Sequence, residues 1–242
     1  MKAGAVLAQA RVELLLSLRR AESLLISFLV PVGILVFFSE VDALNTTLRR
    51  PVDFLVPGVL ALAVMSTAMV SLGIATGFER RYGVLKRLGS TPLSRGGLLA
   101  AKTLDVLMIE VVQAAAIIGT GLALGWELRA GFGLALLWLL VGTVAFAGVG
   151  LLLAGTLRAE ANLAVANGLF LVLLFLGGMA YPLEKLPDVL ESVASVLPAA
   201  ALAESVRTAL RGGGIPWDSA GVLLGWAVVA PALATRYFRW EE

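Results

Sequence analysis

Six stretches of the chain are apolar enough and long enough to cross a bilayer as helices, at 23–38, 54–78, 98–124, 132–157, 162–181 and 219–238. A spanning helix takes about 20 mostly apolar residues, and fewer when flanking side chains reach the headgroups, so the first of the six is the shortest acceptable one. Ahead of it, residues 1–22 are amphipathic. Val6, Leu7, Ala10, Leu14 and Leu18 recur at helical spacing, with Gln9, Glu13, Ser17 and Arg20 on the opposite side. That pattern predicts a helix lying in the membrane interface, the alternative being a solvated helix packed on protein. Residues 182–214 read differently. Leu186, Val189, Leu190, Val193, Val196 and Leu197 make one apolar face, and beyond Pro198 the residues Leu202, Val206 and Leu210 follow at intervals of four. Each run is too short to span and apolar on one side only, which predicts a re-entrant or interfacial helical hairpin, ended by Gly212, Gly213 and Gly214. Pro31, Pro57 and Pro231 fall inside spans and predict kinks. The fold class is an all-α membrane protein of six transmembrane helices with an N-terminal interfacial helix and a hairpin between spans five and six, in one domain over 1–242.

Composition narrows the chemistry. Of 242 residues, 59% are hydrophobic and 15% charged, more apolar surface than a water-soluble domain could cover. Cysteine and histidine are both absent. That excludes disulfides, thiolate nucleophiles, imidazole bases, Ser-His-Asp triads and haem or zinc ligation by those side chains. The net charge is only +2, so its distribution carries more information. With the N-terminus in the cytoplasm, 13 of the 19 Lys and Arg residues fall on the cytoplasmic side, and both termini are expected there. Arg11, Glu13, Arg19, Arg20 and Glu22 interrupt the leading segment too often for a cleavable signal peptide.

The most informative loop is FERRYGVLKRLGSTPLSRGGLLAAK, residues 78–102. Its residues 79–88 predict a short helix with Tyr82, Leu85 and Leu88 on one side and Arg80, Arg81, Lys86 and Arg87 around the rest. Gly89 suits a cap and Pro92 stops continuation. Such a helix can dock into a partner's groove or lie on anionic headgroups. The order Glu79, two basic residues, Gly83-Val84-Leu85, Leu88, Thr91-Pro92-Leu93-Ser94 and Lys102 resembles the coupling loop of type-2 ATP-binding-cassette (ABC) transporter permeases. Gly177-Gly178-Met179-Ala180-Tyr181-Pro182, Leu186-Pro187, Leu197-Pro198 and Arg207 are similar to that family's extracellular hairpin before the last helix. The likeness covers nearly the whole chain and departs at Lys86 and Arg87, where many members carry a glutamate.

This resemblance implies an exporter-type permease of a bacterial or archaeal plasma membrane, moving a small amphiphile such as a drug, lipid or glycan precursor. It implies a pair of membrane subunits, homodimeric or heterodimeric, working with two ABC-type ATP-binding subunits. The loop 79–95 would carry the ATPase-coupling residues Glu79, Arg80, Arg81, Tyr82, Gly83, Leu85, Leu88, Thr91 and Pro92. Pro182, Pro187 and Pro198 would shape the extracellular hairpin. The sequence has no Gly-x-x-x-x-Gly-Lys-Ser/Thr loop to cradle phosphates, so ATP and magnesium are expected on the partner, with no cofactor, catalytic residue or metal on this chain. No nucleic-acid partner is expected.

Within the spans, Asp105 is expected to pair with Lys102, three residues away. Glu110 lies roughly 18 Å along the third span from Leu98, near the bilayer centre, where an ionised carboxylate is costly. With Gln113 on its face, it either lines a substrate path or hydrogen-bonds helices together. Asn162 and Asn167 predict interhelical hydrogen bonds, Arg158 and Glu160 a surface pair, and Trp126, Trp217 and Trp240 interfacial anchors. A rival reading is a secondary transporter or channel using Glu110 as its ion or proton site. It would transport without an ATPase and leaves the loop at 78–102 unexplained. A membrane enzyme would gather several acids or a Ser-Lys pair at one depth, and none gather here.

Overall fold

A computed structural model describes residues 3–19, 21–40, 51–90, 94–127, 131–179, 183 and 187–240, the side chains of 3 and 21–27 excepted. Their regular elements are all helical. With no water in a bilayer core, each segment must satisfy its own backbone, and the helices follow the apolar runs. Helix α1 is Ala3–Arg19 and α2 is Ala21–Glu40. The second span, Val52–Arg81, comprises α3 (Val52–Val64), a π-helical segment (Met65–Ser71) and α4 (Leu72–Arg81). A six-residue α5 (Val84–Gly89) follows. Then come α6 (Arg95–Ala123), α7 (Phe132–Thr156) and α8 (Ala159–Leu176), the short pair α9 (Asp188–Ser195) and α10 (Pro198–Leu210), and α11 (Trp217–Tyr237).

The chain is a multi-pass membrane protein. Five helices are long and apolar enough to cross, or six if α9 and α10 together make one broken span; the first expected span falls on α2, whose described apolar part, Phe28–Glu40, is shorter than a crossing takes. Between spans five and six, where a helical hairpin is expected, α9 and α10 lie at 82° to each other, the break falling just before Pro198. The fifth span stops at Leu176, earlier than the apolar run suggests, because the chain turns at Gly177 and Gly178, the latter at φ 60°. The irregularity in span two lies at Met65–Ser71 rather than at Pro57.

Helix α3 is the centre of the molecule and is buried along almost its whole length. Helix α7 packs along α11, α10 and α4. Between helices in lipid, close van der Waals packing replaces the hydrophobic drive, so small residues sit where backbones cross. A Cβ on Gly150 would come within 2.5 Å of the Met69 carbonyl oxygen in the π-helical segment. Only glycine lets α7 cross there. The glycine spacing around Gly73 and Gly77 therefore serves contacts within the chain, with Gly150 and Asn162.

Two ends can be distinguished. At one, α1, α5, the turn at Leu157–Arg158 and the C-terminal residues meet: Arg80 reaches the Ala154 and Leu157 carbonyls, and Trp240 lies against Gly89. Most Lys and Arg residues lie there, so it is the basic end. At the other, Arg207 on α10 donates to the Gly178 carbonyl (2.7 Å) and to Glu204 (3.1 Å), with its guanidinium 4.1 Å from the Phe54 ring centroid. Helix α10 is buried, whereas α9 turns Val189, Leu190, Val193 and Val196 outward. Pro187 precedes α9 and Pro198 begins α10; Pro182 lies outside the described residues.

Three expectations change. Trp126 is buried in the protein rather than anchored at an interface, Asn167 bonds within its own helix, and Glu160 pairs with Arg81 instead of Arg158. Asn162 does bond between helices, donating to the Gly73 carbonyl at 2.8 Å. Replacing Arg207 by Met removes the charged bonds that seat the hairpin. It is expected to cost about 1.5–3 kcal/mol, read as a lowered thermal unfolding midpoint in detergent.

Candidate functional site

Helix α6 carries a buried polar stripe at helical spacing: Lys102, Asp105, Glu110 and Gln113. Ser94 starts the helix, its Oγ accepting from the Gly97 amide at 3.1 Å. Each member of the stripe meets a different neighbour. The Lys102 ammonium is held by Glu13 of α1 at 3.0 Å and Glu79 of α4 at 2.7 Å. Asp105 accepts from the Ser17 hydroxyl of α1 at 2.8 Å. Glu110 meets the Thr143 hydroxyl of α7, and Gln113 accepts from Thr67 of the π-helical segment at 3.0 Å.

The expected Lys102–Asp105 pair does not form. A residue three positions along one helix loses to two carboxylates presented by other helices, which can approach the ammonium end-on and compensate its burial. Helix α1 is turned accordingly. Its polar stripe Gln9, Glu13 and Ser17 faces the protein, while Leu7, Leu15, Leu16 and Leu18 are exposed. Those leucines are thus free to meet lipid, Val6 is buried and Ala10 packs against the core, and the polar side is packed on α6.

The loop after span two differs from a single helix over 79–88. Helix α4 runs on through Arg81, the chain reverses at Tyr82 and Gly83, the latter at φ 71°, and α5 begins. Glu79 and Arg80 therefore belong to the membrane body. Arg80 is buried and donates to the Ala154 and Leu157 carbonyls at 2.7 and 2.6 Å. Leu85 is wholly buried and Leu88 partly so, anchoring α5 to its own protein rather than offering an apolar face. Arg81, Tyr82, Val84, Lys86 and Arg87 face outward. Thr91 and Pro92 lie outside the described residues.

Two cavities flank the α6 stripe. One of about 570 Å³ lies between α1, span two and α6 and is lined by Glu13, Ser17, Phe78, Glu79, Lys102 and Asp105 among others. A smaller one of about 250 Å³, almost entirely apolar, contains Glu110, Gln113 and Thr143. Thr67 lines the first and Gln113 the second, so their hydrogen bond stands between the two. Among the described residues no cluster of acids has the makings of a metal site.

The family model for the ABC-2 type transporter matches residues 5–210, most of the chain. The chain belongs to the ABC-2 type transporter family. This ABC-2 permease is also similar to a Bacillus subtilis (strain 168) protein named "Putative transport permease YvfS", with 26% identity over 234 residues and 93% of each chain covered. It is accordingly a transporter permease subunit, of a family that associates with an ABC ATP-binding subunit and is generally not itself catalytic.

The structure brings Glu110 and Gln113 to one wall as the sequence suggested, and separates the coupling residues into anchors and outward-facing side chains. Sequence reasoning passed over Glu13, Ser17, Thr67 and Thr143. The polar stripe at 9, 13 and 17 was the available signal for the first two, since an interfacial helix gains nothing from a buried acid unless a cation waits for it. Replacing Lys102 by Met leaves Glu13 and Glu79 facing each other without a cation. The expected loss is about 3–5 kcal/mol, measured by thermal unfolding in detergent, and removing both carboxylates in the same chain should restore part of it.

Proposed function

We propose that this ABC-2 permease is the membrane subunit of an exporter, with α5 seated in a cleft of a separate ATP-binding subunit at the cytoplasmic face. Two such subunits would serve two permease copies in the plasma membrane of a bacterium or archaeon, with both termini cytoplasmic. The observation that carries this reading is the mounting of α5. Leu85 pins it to the body, Gly83 turns it directly off span two, and Tyr82, Val84, Lys86 and Arg87 are exposed at the surface.

Force applied to α5 has a short route inward. Glu79, one turn before the bend, is bonded to Lys102 of span three, and Lys102 also holds Glu13 of α1. These ties would move the basic ends of three helices as one body. The π-helical segment above them, with backbone bonds wider than those of an α-helix, is the natural place for that body to flex against α3. Flexing would strain the Thr67–Gln113 bond between the two cavities and so connect the larger one to the pocket at Glu110, the suggested substrate path. Hydrolysis on the partner would reset the pair.

Reversing charge with Lys86→Glu and Arg87→Glu leaves the buried anchors intact. It is expected to lower permease-stimulated ATP hydrolysis and transport roughly tenfold, the partner's contact charges being lost, while the unfolding midpoint stays put. Leu85→Asp should instead prevent folding. Cargo movement by the purified permease in vesicles containing no second protein would overturn this reading and favour a secondary transporter using Glu110.

A further inference from the structure

The larger cavity has an unbalanced wall. Asp105 is 7% exposed; its Oδ2 accepts from Ser17, and its Oδ1 has no hydrogen-bond partner. The neighbouring ammonium of Lys102 donates to Glu13 and Glu79, and among the described residues no ion pair joins Lys102 to Asp105. The cavity wall therefore holds a buried carboxylate with one oxygen lacking a hydrogen-bond partner, and the cation on the same wall, Lys102, is bonded to two other carboxylates.

The remaining walls say what would fit. Phe78 and Tyr82 stack with centroids 6.2 Å apart and an interplanar angle of 25°, and both line the cavity. Aromatic rings beside a carboxylate attract organic cations. Val70, Ile74, Val106 and Ile109 add an apolar surface for a hydrophobic body. At about 570 Å³ the space suits a small organic molecule, and it reaches the surface past Tyr82 and Leu16, both exposed. An anion would meet three carboxylates. A divalent metal would find Glu13 and Glu79 already bonded to Lys102.

We infer that this cavity binds the cationic head of an amphiphile, with Asp105 as counter-ion and the Phe78–Tyr82 pair against the cation. That the ligand is cargo rests on the exporter reading; that it binds does not. The site adjoins Gly83 and α5, so cargo enters beside the element the ATPase would move.

Tetraphenylphosphonium is the probe, with the full chain in phosphatidylcholine nanodiscs and empty nanodiscs as background. Equilibrium dialysis should show saturable binding, displaced by dodecyltrimethylammonium and not by the neutral dodecyl maltoside. Asp105→Asn should weaken it about tenfold or more, Asp105→Glu should retain it, and Asp188→Asn, an equal charge change on α9, should leave it unaltered. In the unmodified chain, tetraphenylphosphonium should also protect Asp105 from a hydrophobic carbodiimide, read by peptide mass spectrometry. Absence of saturable binding, wild-type binding by Asp105→Asn, or labelling of Asp105 undiminished at saturating probe would each overturn the inference. Binding as described, in a permease that fails to stimulate any ATP-binding subunit, would sink the exporter reading and leave the cation site standing.

Discussion

One ammonium, buried between two carboxylates, organises the basic end of this molecule. Lys102 is 2% exposed, and a charge so placed is tolerable only because Glu13 and Glu79 reach it from two other helices. The arrangement fixes several features at once. It rotates α1 so that its polar stripe faces inward while Leu7, Leu15, Leu16 and Leu18 face outward. It holds the end of span two against span three just before the chain bends into α5. It also engages the cation on the cavity wall nearest Asp105, leaving one oxygen of that buried carboxylate without a hydrogen-bond partner.

A second constraint sits higher in the same span. The π-helical segment Met65–Ser71 is where α7 comes closest, at Gly150, and where Thr67 meets Gln113 of span three. Below it are the charged ties; above it is the tightly buried α3. In the proposed reading, the charge-tied lower ends and the buried upper core, joined by a segment of wider helical geometry, would make a lever of span two. In the proposed cycle α5 is the handle, and the polar stripe of α6 is the surface along which cargo passes.

Much of this was legible in the chain. Run lengths and hydropathy located the five long apolar helices, and one-sided apolarity with Pro198 located the break between α9 and α10, because both depend on local pattern. The family was readable from the loop at 78–102 and the hairpin together. Partnerships were less legible. Lys102 and Asp105 sit three apart on one helix and suggest each other, yet burial rewards partners that arrive from other helices, and the polar stripe of α1 that holds Glu13 and Ser17 does not say which helix it meets. Likewise Leu85 and Leu88 look like a docking face by period alone, although the same period serves equally to fasten a short helix to its own protein. The π-helical segment carries no proline or glycine signature, Pro57 standing about two turns earlier, and emerges only when α7 crosses it.

The lever can be tested directly because the chain contains no cysteine, so introduced labels report without background. Spin-label pairs at Arg19→Cys with Ser90→Cys, and at Ser90→Cys with Asp218→Cys, would be compared in the reconstituted complex with and without ATP. If the Lys102 ties make one rigid lower body, the distance from 19 to 90 stays fixed on ATP binding while that from 90 to 218 shifts. A change confined to the first pair would mean that the charged cluster itself opens, and that force does not travel through it.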